Sequence, residues 1–119
     1  MLVYVSETRP NLLDDITTKL MIANFQQIPA SNLNNLIIAG GSLAHATIFC
    51  VDLSSMHDPA DDIVKAFASF RKMYECKIVV IADRELPNSP VFARLFDLRI
   101  YNIVVNLGDD SLKKAFRGS

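Results

Sequence analysis

The chain has 119 residues, half of them hydrophobic and about a fifth charged, with 12 basic and 13 acidic side chains and a net charge of −1. That suits one folded domain, 1–119, with one core, and it lacks the clustered excess of Lys and Arg that a nucleic-acid surface needs. No apolar stretch reaches the roughly 18 residues of a membrane span, and the N-terminus lacks the basic flank and cleavage site of a signal peptide. The expected partners therefore include neither nucleic acid nor membrane, and the expected setting is cytoplasmic. Cys50 and Cys76 form no CxxC, and His45 and His57 have no ligand-like spacing. Zinc is not expected, and the thiols read as small buried hydrophobes in a reducing compartment.

Taken in order, Leu2-Val3-Tyr4-Val5 is a β-prone run and the first strand. Pro10 fits a first helical turn, and Leu12, Leu13, Ile16, Leu20 and Ala23 recur at helical spacing, which predicts a helix over 10–23. Phe25–Ile28 is a second strand stopped by Pro29, and Ser31 is the expected cap of a helix carrying Leu33, Leu36 and Ile37. Gly40-Gly41-Ser42 then reads as a helix end rather than a phosphate loop, because the glycines follow a helix and not a strand. A third strand is expected at 46–53, ending on Asp52.

Asp58-Pro59 is the expected start of a third helix, whose Ile63, Ala66, Phe67, Phe70, Met73 and Tyr74 make one apolar stripe. Lys77–Ala82 reads as a strand covered on both faces, Ser89-Pro90 opens a fourth helix, and Tyr101–Val105 is a fifth strand. Asp109 or Asp110 caps a short last helix with Leu112, Ala115 and Phe116 on one face.

Strands alternating with helices imply a parallel α/β sheet with right-handed crossovers and helices on both faces. Five units in this length predict a flavodoxin-like three-layer sandwich with strand order 2-1-3-4-5, whose switch point lies between strands one and three. Ser6, Glu7 and Asp52 follow those strands and are expected to converge. Asp52, directly after a buried β-branched run, is the expected centre of any chemical site.

Layout and length across all 119 residues resemble a response-regulator receiver domain, the CheY-like fold of two-component systems. Phe49-Cys50-Val51-Asp52-Leu53 matches the strand that carries the phospho-accepting Asp. Val5-Ser6-Glu7 stands where receivers place an acidic pair, so one carboxylate is a serine. Ala82 stands where a hydroxyl belongs, and Val105 or Asn106 where a lysine belongs. The resemblance thus implies a degraded site, or pseudo-receiver, that is not an enzyme and has no firmly bound cofactor. It leaves three roles for Asp52: a ligand of weakly held Mg²⁺ together with Glu7 and the backbone near Ser54, a cap on the loop 53–58, or a phospho-acceptor that lacks the hydroxyl and lysine to drive a switch. A narrower resemblance, at Leu98–Val104 and the short final helix, is to the receiver-like domains that precede bacterial MinD/ParA-class ATPases, including pilus-assembly localisation proteins. It implies a domain taken from a longer cytoplasmic protein.

Three functions are expected to compete. The first is a non-catalytic interaction domain regulating an attached effector, meeting a partner or a second copy through the face of helix four, strand five and helix five. Phe92, Phe96, Arg99, Tyr101, Lys113 and Phe116 are the expected contacts there. The second is a working phospho-acceptor with Asp52 as nucleophile. The third is small-molecule binding on the flavodoxin-like sheet, which Glu7 and the glycine-free first loop disfavour for phosphates.

Overall fold

Short runs of β-branched and aromatic residues build five strands, each ending where turn chemistry begins. In the computed structural model, which describes residues 1–117 and leaves the side chains of Gly41 and Ser42 aside, these are β1 (Leu2–Val5), β2 (Phe25–Ile28), β3 (Ile48–Asp52), β4 (Lys77–Ile81) and β5 (Asn102–Val104). They form one sheet in the order β2-β1-β3-β4-β5 with every pairing parallel. This is the order the sequence predicts.

The helices are α1 (Asp14–Lys19), α2 (Leu33–Ala39), α3 (Ala60–Met73), α4 (Pro90–Asp97) and α5 (Asp109–Arg117). The two-residue period of the strands divides the core. Val3, Val5, Phe49, Val51, Ile78 and Val80 face α2, α3 and α4, while Leu2, Tyr4, Cys50, Val79, Ile81 and Val104 face α1 and α5. On the first side Phe49 stacks on Phe70 with ring centroids 4.3 Å apart. Cys50 is buried and Cys76 half-buried, and both are free thiols.

Several boundaries depart from the sequence expectation, among them the fourth and fifth strands, which cover 77–81 and 102–104 rather than 77–82 and 101–105. The first helix covers 14–19 rather than 10–23, because the chain before it is held elsewhere. Arg9 receives the Tyr4 hydroxyl on its carbonyl at 2.9 Å and donates its own N–H to Ser6 Oγ at 3.0 Å. Residues 9–14 therefore form tight turns, with Leu12 N–H bonded to Arg9 O and Asp14 N–H to Asn11 O. At the other end Met21, at φ +56°, stops the helix.

Another departure is at α2, which is capped by Asn32 rather than Ser31; Asn32 Oδ1 accepts the N–H of Asn35 at 2.9 Å. Asp58 does not cap its own helix either. Its carboxylate crosses to α2 and accepts the N–H groups of Leu33 and Asn34 at 2.8 and 3.2 Å. The third strand is also shorter than 46–53, starting at Ile48 and ending at Asp52. Gly40 does end α2, at φ +62°.

Candidate functional site

Strand register assembles the site. Val5 lies opposite Val51, so Ser6 and Asp52 leave the sheet side by side, and Asp52 pairs with Ile81 two residues before Asp83. Ser6 is pinned from behind, its N–H on Ile28 O and its carbonyl accepting Gln27 Nε2. Its hydroxyl therefore points across to Asp52. Ser6, Asp52 and Ser55 are all fully buried.

Into this edge comes a residue the sequence reading passed over. Arg9 Nε and Nη2 lie 3.1 and 2.7 Å from Asp52 Oδ2 and Oδ1. Its Nη1 and Nη2 lie 3.0 and 2.8 Å from Asp83 Oδ2 and Oδ1. One guanidinium thus makes two fork-to-carboxylate pairs, the geometry in which arginine binds carboxylates best.

Serines complete the shell. Asp52 Oδ1 also accepts the N–H and Oγ–H of Ser54 at 3.1 and 2.7 Å, and Oδ2 accepts from Ser6 Oγ at 2.9 Å and Ser55 Oγ at 3.2 Å. Thr8 joins through its hydroxyl, 2.6 Å from Ser55 Oγ. The proton order that satisfies this chain runs Thr8 to Ser55 to Ser6 or Asp52, ending on a carboxylate that only accepts. Among the described residues no buried side-chain polar atom lacks a partner.

The electrostatics follow. Burial pushes the Asp52 carboxyl up, but hydrogen bonds from Arg9, Ser54 and Ser6 outweigh it and hold the group below its ordinary range. Arg9 likewise holds Asp83 low, and the two carboxylates drive Arg9 further up. Tyr4, whose hydroxyl donates to Arg9 O, is raised by burial. Asp52 is therefore ionised and saturated, since a carboxylate offers about four lone-pair positions and this one receives six donors.

The sequence-predicted residues divide accordingly. Ser6 and Asp52 meet as expected. Glu7 is exposed and supplies none of the bonds to Asp52, and Ser54 acts as a donor to Asp52 through both N–H and hydroxyl. Asp52 serves as the cap of the 3₁₀ turn Leu53–Ser55. The expected ligands do not fit Mg²⁺, because the Arg9 guanidinium and the Ser54 donors already occupy the Asp52 oxygens that would face a metal. No three His, Cys, Asp or Glu among the described residues cluster as a metal site.

On the expected contact face, Phe96 and Tyr101 are 49% and 65% exposed, with ring centroids 6.0 Å apart. Arg99 and Lys113 are exposed and Phe92 is half-buried. Phe116 is a correction: it is only 6% exposed, packed with Leu112 under α5 against the sheet, and offers nothing to a partner.

Arg9 and Asp83 were the residues missed. Two carboxylates emerging beside one another at a sheet edge demand a nearby cation. With Val105 and Asn106 rather than a lysine directly after β5, the Arg in the first loop was the available candidate.

No protein-family model matches the chain, and no curated protein matches it. Two solved structures are similar in fold. One is RcsB from Salmonella enterica serovar Typhimurium, a structure bound to promoter rprA in the presence of phosphomimetic BeF3⁻, at TM-score 0.65 and 23% identity, covering 98% of this chain and 66% of that one. The other is a fusion carrying the yeast Spc42 trimeric coiled coil, at TM-score 0.64 and 12% identity, covering 98% and 75%. With sheet order and helix placement, these likenesses give the chain the receiver-like α/β fold of a response regulator.

Proposed function

We propose that this domain is a pseudo-receiver, a receiver-like module in which the acceptor position has become a structural ion-pair centre and whose work is protein contact rather than catalysis. The observation that carries this reading is the Arg9 clamp. Both oxygens of Asp52 are fully engaged, and Arg9 joins it to Asp83. A carboxylate attacking phosphorus needs a free lone pair and a cation beside it for the incoming charge. Here the lone pairs are spent and the cation is already neutralised. Ala82 and Val105 supply neither hydroxyl nor ammonium to a phosphoryl group.

The partner surface in this reading is the exposed aromatic ground of α4 and β5. The effector it regulates is a further domain or protein of the bacterial cytoplasm, and a MinD/ParA-class ATPase is the one the sequence resemblance offers. The test is incubation with acetyl phosphate and Mg²⁺, followed by intact mass. No phosphoryl adduct is expected. An adduct that disappears in Asp52→Ala would establish a phospho-acceptor instead and end the pseudo-receiver reading.

A further inference from the structure

β5 is an edge strand, hydrogen-bonded to β4 on one side and, among the described residues, to no strand on the other. The bond from Ala82 N–H to Val104 O, at 2.7 Å, turns the polar groups of Val104 toward β4. The alternation of a strand then turns those of Ile103 and Val105 outward. At the lower end of this edge Ile103 N–H is taken by Tyr101 O at 2.9 Å. The upper end, Ile103 C=O and Val105 N–H, is open to an incoming strand.

Two hollows flank this edge, one on each face of the sheet. Toward α4 lies a hollow of about 650 Å³ whose apolar wall is Phe92, Phe96, Tyr101, Ile103 and Val105, with Asp83, Glu85 and Pro87 completing the lining. Its apolar walls are partly open to water, Tyr101 and Val105 at 65% and 61%. Toward α5 lies one of about 230 Å³, lined by Tyr101–Asn106 together with Ser111 and Lys114. Lys114 is exposed and has no ion pair among the described residues.

We infer that the β5 edge receives an extended segment of a partner protein as a sixth strand, with apolar residues alternating with acidic ones. Side chains of an added strand fall on the two faces in turn, so those beside Ile103 and Val105 enter the apolar hollow. Those beside Asn102 and Val104 reach the polar hollow and meet Lys114. Main-chain bonds to the edge supply attachment, and the two hollows supply sequence preference. A second copy of this chain fits less well, because edge-to-edge pairing of two β5 strands brings both Lys114 side chains to one face.

This inference rests on the proposal that the domain works through contacts, and its test is independent of Asp52. The full 119-residue chain is titrated into fluorescein-labelled alternating hexapeptides, one of valine and aspartate and one of valine and lysine, read by anisotropy. The aspartate probe is expected to bind at least about tenfold tighter, and Lys114→Glu to reverse the order. Val105→Pro, which removes the outward N–H, is expected to weaken both probes by about tenfold or more. Equal binding of the two probes by the native chain, no reversal with Lys114→Glu, or no binding at millimolar concentration would overturn it. Self-association in sedimentation that Val105→Pro abolishes would assign the edge to a second copy and likewise overturn it. Failure here would leave the Asp52 mass result standing, and a phosphoryl adduct would leave the edge result standing.

Discussion

Arg9 and Asp52 lie 43 residues apart in sequence and meet side-on, guanidinium Nε and Nη2 against the two carboxylate oxygens at 3.1 and 2.7 Å. The same nitrogens could not serve two carboxylates from a flexible side chain. The Arg9 backbone is fixed at both ends, by Tyr4 on its carbonyl and Ser6 on its N–H. Thus β1 and the loop behind it aim the cation, and β3 and β4 present the anions.

Arg9→Ala leaves Asp52 buried with no cation and Asp83 beside it. Breaking one side of a buried pair costs about 3–5 kcal/mol, and the 14% exposure of the Arg9 side chain puts this case near the lower figure, about 3 kcal/mol. Arg9→Lys recovers only part, because an ammonium cannot make two forks. Urea unfolding should show Arg9→Ala/Asp52→Asn losing less than the sum of the two single variants, as coupled neighbours do. Simple additivity would mean that the two side chains do not depend on each other.

Layer order and strand order were legible because they rest on periodicity. Phe49–Val51 and Ile78–Ile81 are too apolar to lie anywhere but the centre of a parallel sheet. The convergence of Ser6 and Asp52 followed from that topology. The clamp did not, because nothing in the spacing of Arg9, Asp52 and Asp83 marks them as partners; the contact depends on how the loop after β1 folds back. The same loop explains the shortened α1. Phe116 was misplaced because an amphipathic helix has one apolar face, and the sequence shows which residues share it without showing whether core or partner covers it. The cap of α2 escaped because half of it comes from Asp58, far along the chain.

Asp58→Ala removes two acceptors from the start of α2, together with the tie between that helix and the loop before α3. Loss of a helix cap costs about 1 kcal/mol, up to about 2. Asp58→Ala should fall at the upper end, and Asn32→Ala, which removes one acceptor, near the lower. Hydrogen exchange would locate the effect. The Leu33 and Asn34 amides should lose protection in Asp58→Ala, and the Asn35 amide in Asn32→Ala.

Gly40 closes α2 at φ +62° and ψ −37°, a conformation that strains any side chain. A Cβ placed there would also stand 3.3 Å from Ile37 O and from Tyr74 Oη. Gly40→Ala should therefore destabilise by about 1 kcal/mol or more, seen as a lowered urea midpoint with an unchanged slope. A rise in the midpoint would show that the glycine is not required by the backbone.

Acid should unfold this domain through its clamp. Asp52 and Asp83 both sit below their ordinary range in the folded state, while in the unfolded chain they titrate near about 3.9. Above that value both are ionised in both states, and the contribution to stability is complete. As pH falls below it, the unfolded chain takes up protons first, and stability declines until the folded carboxyls protonate in turn. Urea midpoints measured from about pH 7 down to about pH 2.5 should hold near the top and fall steeply below about pH 4. Asp83→Asn should make that fall shallower. Lys19 holds Asp109 low as well, but that pair is on the surface. Adding about 0.5 M salt should weaken its share and spare the partly buried Arg9 pairs. If the acid limb vanished in salt, surface ion pairs would account for the pH dependence, and the clamp would contribute little to it.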